Sequence, residues 1–188
     1  MNNIGFQILR PILKLFSFIC LNPKIEGKEN IPKGAYILAS NHLSWLDPIL
    51  IGNITLRTIH YLGKKELVDI PVFGWILRFM GTIRIDRSRK NPLAKKEAIN
   101  NLEKGNIICI FPEGTRNKQS MELKDFKFGA VSFASKTGVP IIPITITKRP
   151  KLFRYGIKVI VGKPIYVKET DSLEKKNNEL KKAISCYL

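Results

Sequence analysis

Histidine is scarce in this chain: its 188 residues include two, His42 and His60. Cysteine is nearly as rare. Cys20, Cys109 and Cys186 lie too far apart for a metal-ligand spacing or a disulfide framework, which excludes a cysteine zinc site and fits a reducing compartment. Cys109 falls inside an apolar run and reads as inert core. Acid is short as well: 15 Asp and Glu stand against 32 Lys and Arg, a net charge of +17. A surplus of that size points to an anionic partner: nucleic acid, acidic membrane or phosphorylated substrate. Nucleic acid is not the expected one, because the cations are dispersed, aromatics make up 9% and no binding motif is present. Internal repeats and low-complexity linkers are also missing. With 44% hydrophobic residues, the chain suits one domain with a sizeable core rather than disorder.

Long uninterrupted apolar runs are lacking too. Residues 4–21 are rich in Ile, Leu and Phe, but Asn3, Gln7, Arg10, Lys14 and Ser17 recur at steps of four and three. That spacing is one polar stripe on an otherwise apolar helix. Such a helix would reach about 27 Å, close to a hydrocarbon core. Two central cations would each cost about 2.5–3.5 kcal/mol there. Lying in the interface avoids this, with Arg10 and Lys14 among headgroups and the other side in lipid. Pro11 should kink the helix or divide it. A cleaved signal peptide fits poorly, since charge interrupts the apolar stretch and no small-residue cleavage site follows. The competing reading is a helix packed on the protein's own core. The expected division is an amphipathic membrane-associating segment at 1–24 and an α/β domain at 25–188.

Strand and helix signals alternate after that segment. Strands are expected at 35–39, 58–62, 82–85, 107–111 and 158–161. The 139–146 stretch should be an edge or irregular strand, because Pro140 and Pro143 cannot donate to a ladder. Helices are expected at 48–55, at 66–80 with interruptions at Pro71 and Gly74, from Asn91–Pro92 to Gly105, at 128–136, and from an Asp171/Glu174 capping box to about 187. This order implies a single α/β domain with a mostly parallel central sheet flanked by helices. Ligands on such sheets bind where strands end and loops begin.

The densest chemistry is Asn41-His-Leu-Ser-Trp-Leu-Asp47. Histidine suits proton transfer near neutral pH, and a carboxylate on one ring nitrogen fixes its tautomer. On a regular helix His42 and Asp47 would sit about 140° apart and could not meet. Pro48 disfavours helical geometry at Asp47 and suits the first helical position. A turn entering a helix near 48 could fold Asp47 back onto His42. The bare spacing is met more often by an Asp47 helix cap beside a surface histidine, because short motifs match often by accident.

Further blocks follow other strands. Gly81-Thr-Ile-Arg-Ile-Asp-Arg87 ends in an acid and a permanent cation, and Phe111-Pro-Glu-Gly-Thr-Arg116 leaves the most apolar strand. Arginine's planar fork suits a phosphate. Gly114 would let the backbone approach a ligand closely. Lys64, after Gly63, could add a point charge. Singly, each block could be a strand-end salt bridge. Val139–Ile146 could wall a greasy ligand or serve as core.

Together and in order, these blocks resemble the glycerolipid acyltransferase family, with the closest match to the 1-acyl-sn-glycerol-3-phosphate (lysophosphatidic acid) acyltransferases. The shared pattern is Asn-His-x-Ser-x-x-Asp, a Gly…Asp-Arg block, Phe-Pro-Glu-Gly-Thr-Arg and Val-Pro-Ile-Ile-Pro, spread over residues 41–146. Gly63-Lys64 and Phe126-Lys127-x-Gly129-Ala130 also look like the family. The resemblance implies a membrane-associated enzyme of phospholipid synthesis, at the cytoplasmic face of the cell membrane. Its acyl donor would be a thioester of CoA or acyl-carrier protein, its acceptor lysophosphatidic acid, and no cofactor or metal would be needed. His42 and Asp47 would be the catalytic pair. Arg87, Glu113, Gly114, Thr115 and Arg116 would belong to the acceptor site, with Lys64 on its phosphate. Backbone amides of the His42 turn are the candidate oxyanion donors. A glycerol 3-phosphate or other lyso-lipid acyltransferase is the nearest alternative, and a non-catalytic protein of anionic membranes the next. The chain departs from the family after Arg116, where Asn117-Lys-Gln-Ser replaces a Ser-rich basic loop.

Overall fold

A computed structural model describes residues 4–86 and 91–188. Seven strands form one sheet: β1 (Lys24–Glu26), β2 (Tyr36–Ser40), β3 (Ile59–Lys64), β4 (Ile83–Ile85), β5 (Ile107–Ile110), β6 (Ile141–Ile146) and β7 (Lys158–Val161). Their spatial order is β1-β7-β6-β2-β5-β3-β4. The run from β6 to β4 is parallel, β7 is antiparallel to β6, and β1 pairs parallel with β7. The central strands β2, β5 and β6 are buried along their whole length, as continuous apolar runs in a two-sided parallel sheet should be.

The helices are α1 (Ile4–Cys20), α2 (Asp47–Gly52), α3 (Lys65–Val68), α4 (Phe73–Phe79), α5 (Pro92–Glu103), α6 (Gly129–Thr137) and α7 (Leu173–Ser185). Strand alternation divides the core. Ile37, Ile108 and Ile141 pack with Ala98 of α5, Val131 of α6 and Leu180 of α7. Leu38, Cys109 and Ile142 point the other way, to Phe6 of α1 and Leu50 and Ile51 of α2.

Several expectations need correction. The 139–146 stretch is not an edge: β6 lies between β7 and β2. Pro143 is tolerated because its nitrogen faces the end of the β7 ladder, where Gly162 N–H donates to the Pro143 carbonyl at 2.8 Å and only the reciprocal bond is lost. The last helix is capped by Ser172, whose hydroxyl accepts from Lys175 N–H, while Asp171 instead accepts from Lys168 N–H. Pro11 does not divide α1, which runs unbroken. The 66–80 helix breaks at Pro71 as expected, but Gly74 lies inside α4. Helix α2 starts at Asp47, one residue before Pro48, and ends at Gly52 rather than 55. Strand β1 gave no sequence signal, being three residues long and bracketed by lysines and acids.

Helix α1 turns an apolar face outward. At 100° per residue, Ile4, Ile8, Ile12, Leu15 and Ile19 share an arc of about 80°. All five are 54–73% exposed. Gly5, Phe6 and Ser17 face the body, and Gly5 lies against Phe79 of α4, with no room for a Cβ. The polar stripe runs along one flank between these faces, with Arg10 half-buried and Lys14 exposed.

Gly27 holds φ +80°, and a Cβ there would run into the Val161 carbonyl of β7. Gly27→Ala should lower unfolding stability by about 2 kcal/mol or more in a denaturant titration. An unchanged midpoint would show that the β1–β7 junction yields freely.

Candidate active site

The carboxyl ends of β2, β5 and β3 share one sheet edge, because the three strands are parallel neighbours. Ser40 ends β2, and the chain leaves it in a turn over residues 41–46. Asn41, fully buried, pairs its amide with both the N–H and the carbonyl of Ile146, at 2.9 and 3.0 Å, and so joins the end of β2 to the end of β6.

The turn closes on Asp47. Its Oδ2 accepts from Leu43 N–H at 2.6 Å and Ser44 N–H at 2.8 Å, and lies 2.7 Å from His42 Nδ1. The Asp47 side chain is 0% exposed and that of His42 17%. An oxygen already accepting two backbone N–H groups acts as acceptor for the ring as well, so Nδ1 is the donor and Nε2 carries the lone pair. Asp47 also sits in the first turn of α2, where the helix dipole favours negative charge. The pairing expected from the spacing is therefore present, and Asp47 holds the turn and the imidazole at once.

Three more contacts fix His42. Phe111, just past β5, stacks on the imidazole with ring centroids 4.0 Å apart. Glu113 Oε1 accepts from His42 N–H at 2.9 Å, and the His42 carbonyl accepts from Asn117 N–H at 2.7 Å. Glu113 Oε2 accepts from Lys124 N–H at 3.2 Å. Glu113 is buried, so the role its geometry supports is tying the β5 loop to the histidine turn. Asn117, where the sequence leaves the family pattern, is buried too. Its side chain donates to the Glu122 carbonyl and accepts from Ser120 N–H, bracing the loop itself.

The remaining expected residues stand as follows. Arg116 stacks its guanidinium 3.7 Å from the centre of the Trp45 ring. Stacking uses the face of the guanidinium and leaves its in-plane N–H groups for an anion. Gly114 has φ +69°, and a Cβ there would come 2.8 Å from Lys127 Cε. The space a glycine leaves is thus occupied by Lys127, not open to a ligand as expected. Thr115 is exposed. Lys64 lies at the end of β3 and pairs with Glu66 at 3.2 Å on the surface. Arg87 lies outside the described residues. Of the turn's backbone amides expected as oxyanion donors, the N–H groups of His42, Leu43 and Ser44 are committed to carboxylates and that of Leu46 to Ser44 Oγ. Cys109 is core as expected, and burial pushes its thiol well up.

Sequence reasoning missed Trp45, Arg149 and Tyr61. Arg149 donates to the Leu43 carbonyl at 2.8 Å and to Ser120 O at 3.4 Å, joining the histidine turn to the β5 loop. Half-buried Tyr61, its hydroxyl pKa pushed well above the usual value by desolvation, donates to the Pro48 carbonyl at 2.7 Å and holds the start of α2. Trp45 lies inside the recognised motif, so its position was visible; its stacking partner was not.

The profile of the family described as Acyltransferase matches residues 22–147. The chain belongs to the acyltransferase family. It is 34% identical over 149 residues to a 1-acyl-sn-glycerol-3-phosphate acyltransferase of Bacillus subtilis, covering 76% of this chain and 73% of that protein. It is 34% identical over 179 residues to a chloroplastic 1-acyl-sn-glycerol-3-phosphate acyltransferase of Brassica napus, covering 86% of this chain and 52% of that one. The chain thus spans about half the length of this plant relative. Its fold is similar to the crystal structure of the 1-acyl-sn-glycerophosphate (LPA) acyltransferase of Thermotoga maritima, with a TM-score of 0.76, 28% identity, and coverage of 95% and 77% of the two chains.

Glu113→Gln keeps the side chain's size but replaces one acceptor oxygen with a donor that faces a backbone N–H. If the imidazole is the reacting base, the change should lower kcat by about tenfold while leaving the acceptor KM nearly unchanged, because a misplaced base affects the chemical step. A pure KM effect in steady-state kinetics would instead put Glu113 in contact with substrate.

Proposed function

We propose that the chain transfers a fatty acyl group from an acyl thioester, of CoA or acyl-carrier protein, to the free hydroxyl of 1-acyl-sn-glycerol 3-phosphate. The product is phosphatidic acid, a precursor in phospholipid synthesis. The observation that carries the proposal is His42 locked to buried Asp47 with Nε2 left free, beside the stacked Arg116.

In this reading Nε2 of His42 takes the hydroxyl proton as the acceptor oxygen attacks the thioester carbonyl. Asp47 stabilises the imidazolium that results. The C–S bond then breaks, and the imidazolium returns the proton to the departing thiolate, so ester and free thiol leave together. The thioester is already activated, so no enzyme nucleophile is required. A positioned base of this kind is worth about 10²–10⁴ in rate. Arg116, held flat by Trp45, grips the acceptor phosphate, with Arg87, Thr115 and Lys64 as the proposed further contacts. Glu113 and Gly114 act through the loop that carries Arg116. Holding phosphate and hydroxyl at once turns a bimolecular encounter into a positioned one.

The substrates are lipids, and the outward face of α1 suits them. We take residues 1–24 as the membrane-associating segment and 25–188 as the acyltransferase domain. No described helix is long and apolar enough to cross a membrane. Exposed Ile4, Ile8, Ile12, Leu15 and Ile19 would enter the acyl boundary, and exposed Trp75 of α4, stacked on Phe79 beside Gly5, suits the headgroup level. The cytoplasmic face of the membrane is the proposed location, where both soluble donors are made.

His42→Ala should cut turnover by at least about 10²-fold while vesicle binding persists. Release of free thiol in micelles with lysophosphatidic acid and a panel of thioesters measures this, and retained turnover would remove His42 from its role. Arg116→Ala should raise the acceptor KM about tenfold or more and leave the donor KM within about twofold. Trp45→Ala should shift the acceptor KM the same way, but less. Equal weakening of donor and acceptor would place Arg116 elsewhere in the mechanism.

A further inference from the structure

A cleft of about 290 Å³ lies away from the histidine turn, at the other end of α2. Its walls are the polar flank of α1, residues 53–56 after α2, and the segment 22–28 around β1. Three cations line it: Arg10, Lys14 and Lys28. No carboxylate does. The nearby Glu26 is already paired with Lys24 and Lys158, at 3.2 Å each. Arg10 Nε is buried and has no hydrogen-bond partner among the described residues. A buried guanidinium N–H without an acceptor is costly, and three cations facing one hollow repel each other. Ser17, Asn53 and Thr55 add hydroxyl and amide groups to the same walls, with Asn53 Nδ2 donating to Ser17 Oγ at 2.8 Å.

Phe18 and Leu56, both largely exposed, complete the lining. Phe18 sits on α1 beside the outward arc of Leu15 and Ile19. The cleft therefore joins a cationic pocket to an apolar lip, at the border between the protein body and the face of α1 turned to the membrane. We infer that this cleft binds the phosphate headgroup of an intact anionic phospholipid, as a site separate from His42 and Asp47. Arg10, Lys14 and Lys28 neutralise the phosphate, and the acyl chains run over Phe18 and Leu56 into the bilayer beside α1. The inference rests on α1 lying in the membrane interface, but not on the acyl-transfer chemistry. Its effect is to fix how α1 sits on the membrane and to make binding depend on anionic lipid.

The test is co-sedimentation of the full chain with phosphatidylcholine vesicles and with vesicles of phosphatidylcholine and phosphatidylglycerol in equal parts. Four proteins are compared: wild type, R10Q/K14Q/K28Q, K14Q/K28Q, and K95Q/K96Q/K104Q. The last removes the same charge from α5, on the opposite face of the sheet. Wild type should prefer the anionic vesicles. The cleft variant should lose on the order of tenfold or more of that preference and keep its binding to neutral vesicles. The α5 variant should stay within about twofold, because its charges do not line the cleft. K14Q/K28Q, altered only at exposed positions, should lose several-fold and guards against a folding defect from the change at Arg10. Inorganic phosphate, at ionic strength matched with chloride, should leave vesicle binding in place. Equal losses in the cleft and α5 variants would overturn the site, as would a cleft variant that behaves like wild type; in both cases the interfacial role of α1 stands. Abolition by inorganic phosphate would assign the cleft to free phosphate and overturn the lipid. A wild type that binds neither vesicle would overturn the membrane reading as well.

Discussion

One buried oxygen organises this protein. Oδ2 of Asp47 takes hydrogen bonds from two successive backbone amides and from the imidazole of His42. Each bond alone is modest, but the group is fully buried, and a carboxylate out of water is strongly unfavourable unless its partners are in place. The turn therefore has one arrangement available to it. Because the same oxygen serves backbone and ring, the shape of the turn and the tautomer of the histidine cannot be set independently. A second carboxylate, Glu113, repeats the device from the next strand, with one oxygen on His42 N–H and the other on Lys124 N–H. The placement of the imidazole and the order of the loops are in this way one property of the fold.

The sheet explains why these loops meet. Parallel β2, β5 and β3 send their carboxyl ends to one edge, so blocks far apart in sequence arrive side by side. Around that edge lie contacts with little catalytic chemistry of their own: Phe111 on the imidazole, Arg149 bridging Leu43 and Ser120, Tyr61 on the Pro48 carbonyl. They brace the His42 turn and the β5 loop against each other, the order that the proposed general base would need, since small misplacements cost much of the rate. On the α1 face the demand is different. Apolar surface is left uncovered there, and phosphate-bearing lipid is the partner proposed for the excess of positive charge.

Much of the site was legible because its residues are clustered in short motifs. His42 and Asp47 could be paired once helix geometry was ruled out and Pro48 placed a turn before α2. The alternating α/β order followed from apolar runs separated by capping and turn residues. Legibility failed where long-range packing overrode local preference. Pro143 argued for an edge strand, yet β6 is interior, because the lost donor falls at the end of a ladder. Gly114 suggested an open approach for a ligand, yet Lys127 fills the space from a segment thirteen residues on.

By itself, then, the sequence determined the kinds of chemistry present: a proton-transfer histidine, a short-range acid, an arginine loop, a helix with one polar stripe and a large positive charge. These depend on side-chain identity and on spacings of a few residues. Tertiary structure alone decided that Trp45 holds Arg116 flat, that Glu113 serves the backbone of His42, and that Arg10, Lys14 and Lys28 surround one hollow. Such partnerships join residues from different elements, and the relative placement of elements is set by the whole sheet and its two cores, which no local pattern encodes.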